Sequence, residues 1–256
     1  MKNQIYEPCD FLQPYVKYLY IQESLHESSF KVFPDTNFVL GFQYQGSISY
    51  SHENKIVPLS NYGVTGITDT YRIFNTSKNT SSVLVKFNEL GASSFFPFPL
   101  NELFSVSTTL ENFFKLSELI YIKEKLFFAK TDQERIDVIQ NFLISKFIPE
   151  REDHLVAMAI SHIQKTNGNI RISEIQKKLY VSPSSLEKRF KKSVGTSPKK
   201  YASLVKFQNF LKNYKNTSSL TDMAHTMGYY DQSHFIHKFK SFTGENPEHF
   251  FLRFHS

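Results

Sequence analysis

From Asn37 to Tyr50 the chain reads NFVLGFQYQGSISY, with Phe38, Leu40, Phe42 and Tyr44 at every second position. The pattern breaks at Gly46 and resumes with Ile48 and Tyr50. A period of two puts alternate side chains on one sheet face, so the stretch predicts two strands about a turn, a hairpin. SVLVKF (Ser82–Phe87) is a second β-rich run, with Val83, Val85 and Phe87 on one side. FPFPL (Phe96–Leu100) carries two prolines and fits neither an interior helix nor a central strand. Beyond it the period lengthens. The stretch from Leu100 to Lys130 has no glycine or proline and spaces Leu110, Phe113 and Phe114 as a helix does. TDQERIDVIQNFLISKFI opens on the capping-box pattern Thr131-x-x-Glu134 and sets Ile136, Ile139, Leu143 and Phe147 on one face. Pro149–Asp153, PERED, is polar, charged and opened by proline, and predicts a linker between residues 1–148 and 153–256.

The last hundred residues read as short helices and contain a repeat. Ile172–Tyr201 aligns with Leu220–Phe250, pairing Ile175 with Met223, Leu179 with Met227, Leu186 with Phe235, Phe190 with Phe239, Gly195 with Gly244 and Pro198 with Pro247. Ordered matches of this kind signal a duplicated supersecondary unit. Each copy predicts a short helix, capped in the first by Ser173 or its neighbour, then a tight turn at Tyr180–Ser182 or Gly228–Tyr230. A second helix follows, with Ser182 or Asp231 at its N-cap. Leu186 and Phe190, or Phe235 and Phe239, form the buried stripe of that second helix. Ser184, Glu187, Lys188 and Lys191 are left on an outer face in the first copy, and Gln232, Ser233, Ile236 and His237 in the second. Helix, short turn and helix with a polar, basic outer face is the arrangement that enters a major groove. A helix near Ala202–Tyr214 joins the units as a stiff spacer.

Charge sharpens this picture. The chain has 256 residues and net charge +6. Residues 1–150 hold 13 Lys+Arg against 16 Asp+Glu, net −3, and residues 151–256 hold 17 against 8, net +9. The basic half is therefore the one suited to a polyanion. A single cysteine, Cys9, excludes an internal disulfide and fits a reducing, cytoplasmic compartment. No signal peptide and no apolar run long enough to span a bilayer is evident, so no membrane partner is expected.

The repeat and its connecting helix resemble the DNA-binding domain of the AraC/XylS family of bacterial transcription regulators, over residues about 153–253. Gly228, Phe235, Phe239, Lys240, Gly244 and Pro247 follow the family's order in the second unit. The first unit departs from it, with Gln176 where alanine is usual and Tyr180 where glycine is usual. The N-terminal half resembles, more weakly, the sensor-like domain that precedes this unit. The resemblance implies an α+β chain: a β-rich, cupin-like partial barrel with trailing helices over 1–148, then an all-α domain of two helix-turn-helix units joined by a linker helix. It further implies double-stranded DNA as partner, RNA polymerase beside it, and a small-molecule effector or a homodimer contact through the N-terminal half. No cofactor or enzymatic activity is expected.

Ser184, Ser185, Glu187, Lys188, Gln232, Ser233 and His237 are the candidate base readers. Arg189, Lys191, Lys192, Lys199, Lys200, Lys238 and Lys240 are the candidate phosphate contacts. Glu187 suits a cytosine amine, Lys188 a guanine and Gln232 an adenine. The competing function is an effector-binding or protein-docking module whose tandem helices meet a protein. Competing chemistries are poorly supported. His234 and His237 stand three apart with His225 near, but no cysteine or carboxylate pair completes a metal set. Ser185-x-x-Lys188 fits the S-x-x-K of acyl-transfer enzymes, as do three other places in the chain, and its companion motifs are missing.

Overall fold

The computed structural model describes residues 2–52, 55–149, 152–213, 221, 223–224, 227–229 and 231–252. The N-terminal half is two antiparallel sheets facing one another without closing into a barrel. The six-stranded sheet runs β1 (Lys2–Tyr6), β2 (Val16–Ser24), β9 (Thr80–Phe87), β4 (Val39–Gln45), β7 (Tyr62–Thr65) and β10 (Ser107–Thr109). The four-stranded sheet runs β3 (Ser28–Val32), β8 (Arg72–Thr76), β5 (Ile48–His52) and β6 (Lys55–Pro58).

Alternation decides what each face of the larger sheet meets. Leu19, Ile21, Leu40, Phe42, Val83 and Val85 are essentially inaccessible. They lie under α1 (Leu116–Phe128) and α2 (Asp132–Lys146), where Phe42 meets Phe142 edge-on at 5.5 Å. The opposite face looks toward the smaller sheet across a cavity of about 410 Å³. The two strands expected around Gly46 form, but not as a hairpin. β4 pairs with β7 and β9, and β5 with β6 and β8. Gly46, at φ +72°, turns the chain from one sheet into the other, and Thr80 packs so close that a Cβ there would lie 2.6 Å from its Cα. Period-two patterning fixes a strand's faces, whereas its partner is a non-local choice.

The helix expected from Leu100 onward begins only at Leu116. Before it come tight turns at Leu100–Leu103 and Leu110–Asn112 and strand β10, which pairs with β7. Leu110 is fully buried, so the apolar spacing there serves a turn at the sheet edge. The next helix starts as the sequence indicates. Thr131 Oγ1 accepts from Glu134 N–H at 3.2 Å, while Glu134 Oε2 accepts from Lys130 N–H at 2.8 Å.

The helical half follows the 149–152 segment, of which Glu150 and Arg151 lie outside the described residues. Among the described residues, its helices with defined bounds are α3 (His154–Lys165), α4 (Ile172–Lys178), α5 (Pro183–Val194), α6 (Pro198–Asn213), α7 (Gln232–Thr243) and α8 (Pro247–Leu252). Buried apolar side chains form one continuous cluster through both halves. Gly195 and Gly244 end α5 and α7 in the left-handed region, at φ +85° and +78°. A Cβ on Gly195 would stand 2.7 Å from Phe38 Cζ, and one on Gly244 2.5 Å from Tyr71 Cζ. The same position of the repeat thus seats both units on aromatic rings of the N-terminal half.

Polar ties flank these seats. Lys31 pairs with Glu245 and donates to Thr243 O at 3.0 Å, and Lys200 meets Asp69 at 2.8 Å. Gln208 Nε2 donates to Asp35 Oδ1 at 2.6 Å, and Phe33 packs edge-on against Phe250 at 5.4 Å. Gly195→Ala therefore incurs both left-handed strain and overpacking against Phe38, and should lower stability by about 2–4 kcal/mol. Urea unfolding of the full chain checks this; a loss below about 0.5 kcal/mol, the scatter of an ordinary surface change, would contradict the close seat.

Candidate nucleic-acid interface

Local chemistry places the two outer helices. Ser182 Oγ accepts from Ser185 N–H at 3.3 Å at the start of α5, and Pro183 takes the first turn, where its missing N–H costs nothing. Asp231 Oδ1 accepts from His234 N–H at 2.7 Å at the start of α7. Leu186, Phe190, Phe235 and Phe239 are buried at i, i+4 spacing, which fixes how each helix is rotated on its axis. The preceding helices differ from expectation in one detail. Ser173 lies inside α4, whose N-cap is Arg171 without a side-chain hydrogen bond. In the second unit Met223, Ala224 and Met227 are buried, whereas Leu220, Asp222, His225 and Tyr230 lie outside the described residues, as does Tyr214 after the linker helix.

On α5 the side chains of Ser184, Glu187, Lys188, Arg189, Lys191 and Lys192 are exposed and Ser185 is half-buried. On α7 Gln232, Ser233, His234, His237 and Lys240 are exposed, and Ile236 and Lys238 are half-buried. The N-terminal ends of both helices are thus open to solvent, while their C-terminal ends are seated on the other half. Lys199 and Lys200 are exposed at the start of α6.

Several candidates already have partners. Lys191 pairs with Glu187 one turn away at 2.7 Å. Arg189 grips Asp153 with two hydrogen bonds of 2.7 Å, Nε to Oδ2 and Nη2 to Oδ1. Burial pushes the Asp153 carboxyl up, but Arg189 and the Val156 N–H outweigh it and hold it below the usual carboxylate range. Asp153 is also the N-cap of α3, so one carboxylate ties α3 to α5. Gln232 Nε2 donates to Thr221 Oγ1 at 2.5 Å, which ties it to the segment ahead of α7. Lys238 lies over the Phe242 ring at 4.2 Å; burial draws its pKa down, Asp69 opposes this, and Lys200 adds to it. Among the described residues, Lys188, Lys192 and Lys199 have no carboxylate partner and remain available as they stand. His234 packs edge-on against Tyr229 at 4.8 Å. Among the described residues no group of three His, Cys, Asp or Glu side chains is arranged to hold a metal.

Sequence reasoning did not find Asp69, Lys31 or Tyr71, which meet the helix-turn-helix half through pairings between distant segments. The tight turn did leave a signal. Tyr180 has φ +50°, where its counterpart Gly228 has +62°, and its ring is 98% exposed. The first unit holds a tyrosine in a glycine conformation.

Residues 175–253 match a family described as a helix-turn-helix domain, and residues 4–108 match a domain of unknown function, DUF6597. Among solved structures, the chain is similar to an apo ToxT variant from Vibrio cholerae strain SCE256, at 16% identity over 91% of this chain and 95% of that one, with a TM-score of 0.45. It is similar to ToxT of the same strain bound to an unsaturated fatty acid, at 17% identity, 91% and 92% coverage and a TM-score of 0.40. The AraC-like transcriptional activator CuxR aligns at 11% identity, 88% and 91% coverage and a TM-score of 0.29. No protein of curated function matches the chain.

The strain at Tyr180 has a measurable consequence. A left-handed non-glycine residue costs about 1–2 kcal/mol, and glycine gives back part of that through the unfolded chain. Tyr180→Gly should therefore raise stability by about 0.5–1 kcal/mol in urea unfolding. A fall in stability would mean that the exposed ring holds the turn.

Proposed function

We propose that this chain, a DNA-binding transcription regulator with the C-terminal domain of the AraC type, reads two successive major-groove segments through the N-terminal ends of α5 and α7. The observation that carries the reading is polarity of exposure. Both helices are buried on one stripe, seated at their C-terminal ends and open at their N-terminal ends, the ends from which such helices contact base edges. Segments on one face of B-DNA recur about every 34 Å, or one helical turn, so a single chain would read two short blocks without a palindrome.

Ser184, Ser185, Glu187 and Lys188 are the readers of the first block, and Gln232, Ser233 and His237 of the second. Lys191, Lys192, Lys199 and Lys240 stand around them as phosphate contacts. Lys191, held by Glu187, and Arg189, Lys200 and Lys238 act in that set only when DNA competes with the contacts they now make. For Lys200 that rival is Asp69 of the N-terminal half, which gives this half a physical route to altering DNA affinity. We assign the N-terminal half a modulating role, with the cavity between its sheets as the place where a ligand would act.

Readers and anchors separate experimentally. Lys188 occupies the groove-facing side of α5, whereas Lys199 starts α6 beside the expected backbone. A good base contact contributes about 1–3 kcal/mol of discrimination. A phosphate contact strengthens every sequence alike and steepens the log–log salt dependence by about one unit. Gel shifts on sequences selected from random DNA should show Lys188→Ala relaxing one base position. Lys199→Ala should weaken all sequences equally and flatten the salt slope. The reverse pattern would mean that α5 is rotated on its axis relative to this reading, and no shift on any duplex would favour a protein-docking role.

A further inference from the structure

The cavity between the two sheets has a built interior. Three neighbouring strands place a row of polar side chains on its wall: Gln22 on β2 pairs in register with Ser82 on β9, which pairs with Gln43 on β4. All three line the cavity, and all three are more than nine-tenths buried, at 6%, 1% and 5% exposure. Among the described residues, Ser82 Oγ and Gln43 Oε1 have no hydrogen-bond partner. The orientation of the Gln43 amide is fixed by its other end, whose Nε2 donates to Gly46 O at 2.6 Å and Asn61 Oδ1 at 3.2 Å. Turning the amide over would put oxygen against two oxygens, so the atom left without a partner is an acceptor. A buried acceptor without a donor costs about 1–3 kcal/mol, and native interiors hold few of them.

Beside this row the wall is cleared. Gly41 on β4 and Gly63 on β7 stand directly opposite one another in register, and both line the cavity. Neither has a positive φ, so backbone conformation does not call for glycine at either place. A Cβ on Gly63 would meet its nearest neighbour, Thr108 O, at 3.4 Å, which is ordinary contact. A Cβ on Gly41 would come within 3.1 Å of Leu84 Cδ2, so it is beside Gly63 that the missing side chain leaves room. The remaining wall is mostly apolar, with Phe30 and Phe74 stacked at 5.8 Å, and among the described residues no charged side chain lines it. The Arg72 guanidinium stands behind the wall and is held by hydrogen bonds, one of them to the lining residue Ser107. It donates to Ser107 Oγ and Ser105 O at 2.6 Å each, tying the end of the small sheet to β10.

We propose that this cavity binds an uncharged, mainly apolar molecule bearing an O–H or N–H donor, such as a primary amide or an alcohol, with the donor delivered to Gln43 Oε1 and Ser82 Oγ. The proposal rests on the reading of the N-terminal half as the modulating one, and it names the ligand class of that half. Charge decides the class. A carboxylate would be desolvated in an uncharged wall and would face the Gln43 acceptor with another acceptor. A volume of about 410 Å³ falls within the range of small-molecule sites.

The test uses the full chain and two probes of one chain length, decanamide and decanoate, read by thermal shift and calorimetry on DNA-free protein. Decanamide should raise the melting temperature, and decanoate at equal concentration should not. Ser82→Ala removes a buried hydroxyl without a partner, so the free variant should melt no lower than the parent while binding decanamide roughly 3- to 10-fold more weakly. Gly63→Val, which fills the cleared wall, should abolish binding while the variant still melts cooperatively. Equal or tighter binding of decanoate, unchanged decanamide affinity in both variants, or no response to decanamide at all would each overturn the proposal. Gel shifts without a probe test the DNA reading separately, so failure of one leaves the other standing.

Discussion

The arrangement of the molecule depends on two glycine seats. Gly195 and Gly244 occupy the same place in the repeat, and each lets the C-terminal end of an outer helix approach an aromatic ring of the N-terminal half more closely than any side chain would permit. Glycine is already favoured there, because both helices end in the left-handed region. One residue choice therefore ends the helix and opens the interface. Seating both units on Phe38 and Tyr71 fixes their separation from outside, in addition to the spacing set by α6 between them. It also dictates which ends of α5 and α7 remain free.

In the proposed reading, control of DNA affinity would follow from the electrostatics of the same boundary. The N-terminal half is net −3 and the helical half +9, and at their contact Asp69 faces Lys200 while Lys238 stands close by. A cation shared between a carboxylate of its own chain and a DNA phosphate is a switchable contact. On that reading, a change that moves the loop carrying Asp69 would alter how many cations are free for DNA. The cavity lies within the same two sheets that carry Asp69, Tyr71 and Lys31 at their margins. This is the physical link by which a molecule held between the sheets would reach the recognition helices.

Much of the helical half was legible in the sequence because its determinants are local. The caps at Ser182 and Asp231, the buried pairs Leu186/Phe190 and Phe235/Phe239, and the terminal glycines are set by residues a few positions apart, and the structure has each of them. Strand faces were equally legible: Phe38, Leu40, Phe42 and Tyr44 are all buried, as are Val83, Val85 and Phe87. What the sequence hid is non-local. Nothing in NFVLGFQYQGSISY says that its two strands join different sheets, or that apolar spacing at Leu110 and Phe113 serves a turn beneath a sheet edge. Likewise Arg189 and Lys200 look free in a linear reading, and only the fold brings Asp153 and Asp69 to them. The paired glycines Gly41 and Gly63 lie 22 positions apart and acquire meaning only from the register between β4 and β7.

The central claim is that the N-terminal half, and not α6 alone, holds the two recognition helices at a fixed separation. It is tested most directly by the distance distribution between spin labels at Ser184 and Ser233, both exposed, in a chain carrying Cys9→Ser. The intact interface predicts one narrow distribution, which broadens when Lys31→Ala and Asp69→Ala remove two of the ties beside the seats. A distribution equally narrow with and without those ties would contradict the account and leave α6 as the sole spacer.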